Sequence, residues 1–342
     1  MKSFVRLAGA VAVIALFAGA CTTPTSSGNS TSSWSVDPVL ADAATTPDPL
    51  ATNRIYQPVG TERGELAVML HGTGSTPAAH YEIAGALRSD GYHVILLRYS
   101  ASLGTLYACP DVDALTDPDC HRAFRHEVTF GAGVPDPDGV ARDHATANVT
   151  SADSVVNRLL KLVDRMATVV PASGFGQFQQ QTGGSCDVTN ANYGTCELDW
   201  SKVSVLGHSQ GAGVALYLAK FHALEAAGLL SGTYDAYLDG GGAATAAPWT
   251  TEGDFDVPAE SITTLMHEDD YGAERIRAVA DALGISGPEV SATVVPFLTD
   301  RLITDLQPTC LFDSVPGHNS TSVDLCTPGN SYVEAWRFMA EG

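Results

Sequence analysis

Positive charge is scarce in this 342-residue chain: 18 Lys and Arg stand against 39 Asp and Glu, for a net charge of −21. No stretch concentrates Lys or Arg, so the basic footprint that nucleic acid requires of a partner is missing. The acid excess reads instead as a solvated surface. Internal repeats and heptads are absent too, which excludes a solenoid or a coiled coil. The seven cysteines never stand two residues apart as in a zinc knuckle, so a structural zinc site is not expected. Nothing in the sequence fixes an oligomeric state.

What is present begins with an export signal over residues 1–20. Lys2 and Arg6 precede an apolar stretch from Leu7 to Phe17, and Ala18, Gly19 and Ala20 lead to Cys21. The stretch is too short for a membrane span. Small residues directly before a cysteine resemble a bacterial lipobox, which implies a lipid on Cys21 and anchorage in the cell envelope; plain cleavage with export and a free Cys21 is the alternative. An odd cysteine count in an exported chain fits the anchor, because the other six can then pair. They fall into three local couples, Cys109 with Cys120, Cys186 with Cys196 and Cys310 with Cys326, each short enough to staple one loop. Residues 21–53, rich in Ser, Thr, Pro and Ala, read as a flexible tether. That leaves 54–342 for a single catalytic-sized domain.

Within that domain, short apolar runs alternate with helical patterns. Leu66–Leu70 reads as a strand ending in the turn His71, Gly72, Thr73, Gly74, with a helix over Ala78–Arg88. Tyr92–Tyr99 is a second strand, followed by a long irregular insertion over about 100–150. A helix opens at Ser151, with Val155, Val156, Leu159, Leu160 and Val163 on its apolar stripe. Val203–Leu206 is a strand, with a helix from Gln210 to about Ala226; Ala236–Leu238 and Ile262–Met266 are further strands, and helices span Gly272–Leu283 and Ser331–Met339. This alternation predicts an α/β fold with a mostly parallel sheet covered on both faces.

The pattern Gly207, His208, Ser209, Gln210, Gly211 carries the chemistry. A Gly-x-Ser-x-Gly match alone is weak, but here a buried strand leads in and a helix leads out, which puts Ser209 on a tight elbow as a nucleophile. The alternative is a serine in an ordinary strand–helix turn. The helix start at Gln210 points its dipole at the oxyanion of acyl transfer. The turn after the earlier strand supplies the second donor, so the amides of Thr73 and Gln210 are assigned to an oxyanion hole. Gly74, Ser75 and Thr76 do not make a phosphate loop, because the lysine is missing. Of the ten histidines, His318 is the candidate base, since it follows the last expected strand and satisfies the order Ser, acid, His. His71, His208 and His267 read as packing residues. Glu268, Asp269 and Asp270 stand just past Ile262–Met266, and Asp270 is the candidate acid, with Asp269 its competitor.

The turn at Leu70–Thr73, the elbow at Trp200–Gly211, His267–Asp270 and the turn Gly317, His318, Asn319, Ser320 together resemble the α/β-hydrolase superfamily over about residues 60–340. They resemble most its bacterial secreted, lipase or esterase-like members. The chain departs from lipases with three glycines after the oxyanion histidine, having only Gly72 and Gly74 about Thr73. The resemblance is specific for fold and triad, not for substrate; the reading adopted is hydrolysis of a small or polymeric ester through an acyl-enzyme, with no metal or organic cofactor. An acyltransferase, a peptidase on the same fold, and a catalytically dead ligand-binding lipoprotein are the rival readings.

Overall fold

The computed structural model of the chain describes residues 33–48, 51–180, 197–310 and 313–342. The expected export segment, Cys21 and the couple Cys186 and Cys196 lie outside these residues.

Nine strands form one sheet: β1 (Ser33–Val36), β2 (Asn53–Tyr56), β3 (Leu66–Leu70), β4 (His93–Leu97), β5 (Val203–His208), β6 (Ala226–Leu230), β7 (Ile262–His267), β8 (Val290–Ser291) and β9 (Arg301–Thr304). Their order is β1-β2-β4-β3-β5-β6-β7-β9-β8. β1 and β2 run antiparallel at one edge, and from β4 onward every pairing is parallel. Continuous apolar runs such as Leu66–Leu70 suit strands buried on both faces.

Six longer helices cover the sheet: α1 (Tyr81–Ser89), α2 (Cys120–Phe130), α3 (Val155–Val169), α4 (Gln210–Phe221), α5 (Ala273–Ala282) and α6 (Val333–Glu341). Strand residues alternate between the layers. Val68, Leu70, Ile95 and Val205 face the core built with α2, α3 and α4, whereas Ala67, Met69, Leu96 and Leu206 face that of α1 and α6. A mostly parallel sheet with helices on both faces and loop insertions is the α/β-hydrolase architecture, and it brings the ends of β3, β5, β6 and β7 together on one side, where such sheets bind ligands.

Several boundaries differ from the sequence expectation. Inside the stretch expected to be tether, 21–53, Ser33–Val36 instead form β1, which pairs with β2, and Val36 is buried. Polar side chains hold this arm. Asn53 Nδ2 donates to the Val36 carbonyl at 3.1 Å, and Thr46 donates through its amide and hydroxyl to Asp153 at 2.8 and 2.7 Å. The insertion is not irregular throughout, because it contains α2, stapled at its start by the disulfide between Cys109 and Cys120. The helix after Ser209 stops at Phe221, which frees Ala226–Leu230 to form β6, and Ala236–Leu238 pairs with Ala244–Ala246 in a separate hairpin.

Helix α2 looks too polar to pack, yet Arg125 is fully buried. Its guanidinium occupies the space over Gly213, where a Cβ would approach it to 2.1 Å. From there Nε donates to both Asp235 oxygens at 3.1 and 3.0 Å, and Nη1 to the Gln210 carbonyl at 3.0 Å. Trp249 Nε1 also donates to Asp235, at 3.1 Å. Burial pushes the Asp235 carboxyl up, but the charge and hydrogen bonds of Arg125 outweigh it and hold it below the usual range. This contribution is full above the unfolded carboxyl value of about 4 and is lost as pH falls through the lower folded value. Asp235→Asn strands the buried guanidinium and should cost about 3–5 kcal/mol in urea unfolding at neutral pH. A cost below about 1 kcal/mol, typical of an exposed pair, would contradict that reading.

Candidate active site

Ser209 sits between β5 and α4 with φ 56° and ψ −115°, a conformation side chains rarely adopt. Two glycines make the turn sterically feasible. A Cβ on Gly207 would lie 2.1 Å from the Gly211 carbonyl oxygen, and one on Gly211 would lie 2.3 Å from that of Leu70. The turn is tied to the neighbouring strand by the Ser209 amide, which donates to the Leu230 carbonyl at 2.9 Å. Its half-exposed hydroxyl-bearing residue therefore stands at the head of α4, where unpaired amides concentrate positive potential.

The turn after β3 comes within contact of this elbow, since a Cβ on Gly72 would meet Ser209 Cβ at 3.1 Å. Thr73 Oγ1 donates to Gln210 Oε1 at 3.0 Å, which ties together the two residues expected to supply oxyanion donors. A relay of buried and half-buried polar groups holds the turn from behind. His71 Nδ1 donates to the Gly72 carbonyl at 2.9 Å, and Arg98 Nη1 donates to His71 Nε2 and to the Ser75 carbonyl, each at 3.1 Å. Asp48, from the arm after β1, pairs with Arg98. Burial, assisted by the charge of Arg98, lowers the His71 pKa to about 3. The ring is thus neutral, as an Nε2 acceptor must be.

His318 lies in the short helical turn Pro316–Asn319, spanned by the bonded pair Cys310 and Cys326. Its Nδ1 donates to Asp270 Oδ2 at 3.0 Å. Asp270 is buried at the end of β7, and its Oδ1 accepts from Tyr234 Oη at 2.5 Å and from the Gly272 amide at 2.8 Å. Burial pushes this carboxyl up, but the hydrogen bond and charge of His318, with the two further donors, hold it below the usual range. Asp269 is exposed instead, its amide donating to His267 Nδ1 at 3.0 Å. Gly317 lets the two turns meet, because a Cβ there would come within 3.1 Å of His267 Nδ1 and 3.2 Å of the Asp269 carbonyl oxygen.

Ser209, His318, Thr73, Tyr234, Tyr107 and Tyr271 line one cavity of about 740 Å³, whose wall includes no Asp, Glu, Lys or Arg among the described residues. Two residues were not anticipated in these positions. His208, expected to pack locally, donates from Nε2 to the His318 backbone carbonyl at 3.1 Å. Tyr234 touches both Asp270 and His318. It follows β6, a strand that the sequence pattern leaves unassigned beyond the helix expected to reach about Ala226. The groups of ligand-forming side chains among the described residues, Cys109 with Cys120 and His144 and Cys310 with Asp313 and Cys326, are built on sulfurs already bonded to each other and so offer no thiolate.

Fold and site together define an α/β-hydrolase architecture with a serine elbow, a histidine and a buried carboxylate at one cavity. No family model matches the chain, and no curated protein does. Among solved structures it is similar to the dienelactone hydrolase of Anabaena variabilis ATCC 29413, at 14% identity and a TM-score of 0.40, over 91% of this chain and 96% of that one.

Only one of the two neighbouring aspartates faces the histidine. On the ester-hydrolase reading proposed below, Asp270→Asn should therefore lower kcat/KM for an ester by roughly 10²–10⁴-fold, and Asp269→Asn by less than about twofold. The reverse ranking in steady-state assays would move the acid to Asp269.

Proposed function

We propose that this chain is a serine hydrolase of carboxylic esters. The observation that carries the reading is the convergence, on one cavity, of Ser209 at its elbow and His318 paired with buried Asp270. In this mechanism Ser209 Oγ attacks the ester carbonyl carbon while His318 Nε2 takes the hydroxyl proton, and Asp270 stabilises the imidazolium that results. The oxyanion is received by the amides of Thr73 and Gln210 and by the positive end of α4. His318 returns the proton to the departing alcohol, leaving an acyl-enzyme. Water, deprotonated by the same imidazole, then releases the acid.

An uncharged wall favours uncharged esters, because an ionised substrate group would lose hydration without gaining a partner there. The net charge of −21 disfavours anionic substrates further. The bonded pairs Cys109–Cys120 and Cys310–Cys326 support an oxidising compartment, in keeping with export and with a lipid on Cys21 that tethers the enzyme to the membrane.

A series of neutral chromogenic esters of increasing acyl length, assayed on the parent and on Ser209→Ala, tests this directly. The parent should turn over part of the series, and the variant should lose activity by a factor on the order of 10⁴ or more with its thermal midpoint nearly unchanged. Retention of full activity by Ser209→Ala would remove the proposed nucleophile.

A further inference from the structure

Tyr234 stands where the acid and the base of the site meet. Its hydroxyl oxygen lies 2.6 Å from His318 Nδ1 and 2.5 Å from Asp270 Oδ1, so that it touches both members of the pair. The protons can be assigned without conflict. His318 Nδ1–H is shared between Asp270 Oδ2 at 3.0 Å and Tyr234 Oη, while the tyrosine hydroxyl donates its own proton to the other carboxylate oxygen. The chain makes room for this ring. A Cβ on Gly272 would lie 2.1 Å from a Tyr234 ring carbon, so any side chain at that position would displace the tyrosine. Burial and the Asp270 charge push the phenol well above its ordinary value, which keeps the donor protonated.

We infer that Tyr234 is a positioning residue of this site, whose hydroxyl bridges Asp270 and His318 and commits the imidazole to the tautomer that leaves Nε2 free for Ser209. The inference rests on the ester-hydrolase reading above. A ring held through one hydrogen bond can still swing about that bond, whereas two acceptors on Nδ1–H restrict both tautomer and tilt. The other titratable groups that face His318 are Tyr271, with ring centroids 5.0 Å apart, and His208, at 4.8 Å. Burial keeps His208 uncharged, so the ionised partner of the base is Asp270.

The sign of the expected effect follows from the contact. A hydrogen bond from Nδ1–H to the tyrosine oxygen strengthens when the ring becomes cationic, so removing that oxygen withdraws support from the imidazolium that forms as Ser209 gives up its proton. Tyr234→Phe removes the oxygen and keeps the ring. The test measures the second-order rate at which a fluorophosphonate labels the protein across pH 5–9, for parent and variant. In labelling, Ser209 Oγ forms a bond to phosphorus, fluoride leaves, and the hydroxyl proton passes to His318; the rate therefore reports the base without a known substrate. The plateau rate should fall on the order of 10- to 100-fold. A plateau within twofold of the parent would overturn the role of Tyr234 while leaving Ser209 as the nucleophile. A parent that is not labelled at all would overturn the hydrolase reading and this inference with it. A second measurement needs no variant: in proton NMR of the parent with labelled histidine, a low-field tyrosine hydroxyl proton should show a cross-peak to the His318 Nδ1 proton. Absence of that cross-peak, with the Nδ1 proton itself visible, would also overturn it.

Discussion

The site depends on a close approach that two hydrogens make sterically feasible. At Gly207 and Gly211 the backbones of β5, α4 and the end of β3 come so near that a methyl group at these positions would sit 2.1 and 2.3 Å from a carbonyl oxygen. With the chain turned this tightly, Ser209 takes a positive φ and the head of α4 lies against the turn after β3. Such a conformation costs of order 1–3 kcal/mol and persists only where the surroundings over-determine it. The surroundings here are the buried strands on either side and the Ser209 amide bonded to the Leu230 carbonyl.

Around that turn the support is polar as well as apolar. Arg125 reaches the first residue of α4 from beneath and carries Asp235 as its counter-charge. Asp48, Arg98 and His71 form a second chain, running from the edge arm to the turn that bears Thr73. His208 holds the backbone of His318, and the bridge between Cys310 and Cys326 closes the loop around it. Each group has a discrete geometry, and together they restrict loops that apolar packing alone leaves adjustable.

Much of the fold was legible because its central strands are uninterrupted apolar runs and its α3 stripe repeats at helical spacing. The motif at Gly207–Gly211 was legible for a local reason, since both glycines and the serine belong to one turn. What escaped is non-local. Residues 33–48 and 51–53 read as tether because much of their hold on the domain is made by the β1–β2 pairing and by hydrogen bonds of Asn53, Thr46 and Asp42, to which hydrophobic periodicity is blind. Helix α2 read as irregular because its buried arginine is neutralised by an aspartate 110 residues away. Tyr234 could not be placed, because the strand before it, Ala-Ala-Gly-Leu-Leu, has the composition of a helix end as readily as of a buried strand. Asp270 and Asp269 are adjacent and chemically alike, and only the turn after β7 separates a buried carboxylate from an exposed one.

The proposed covalent step is open to direct observation. Incubation with a neutral ester that deacylates slowly, quenching in acid and mapping of the peptides by mass spectrometry should find the acyl group on the peptide that contains Ser209, and on that residue within it. Steady turnover of the same ester with no acylated peptide, or with the acyl group on another side chain, would contradict the proposal that this fold works through a serine acyl-enzyme.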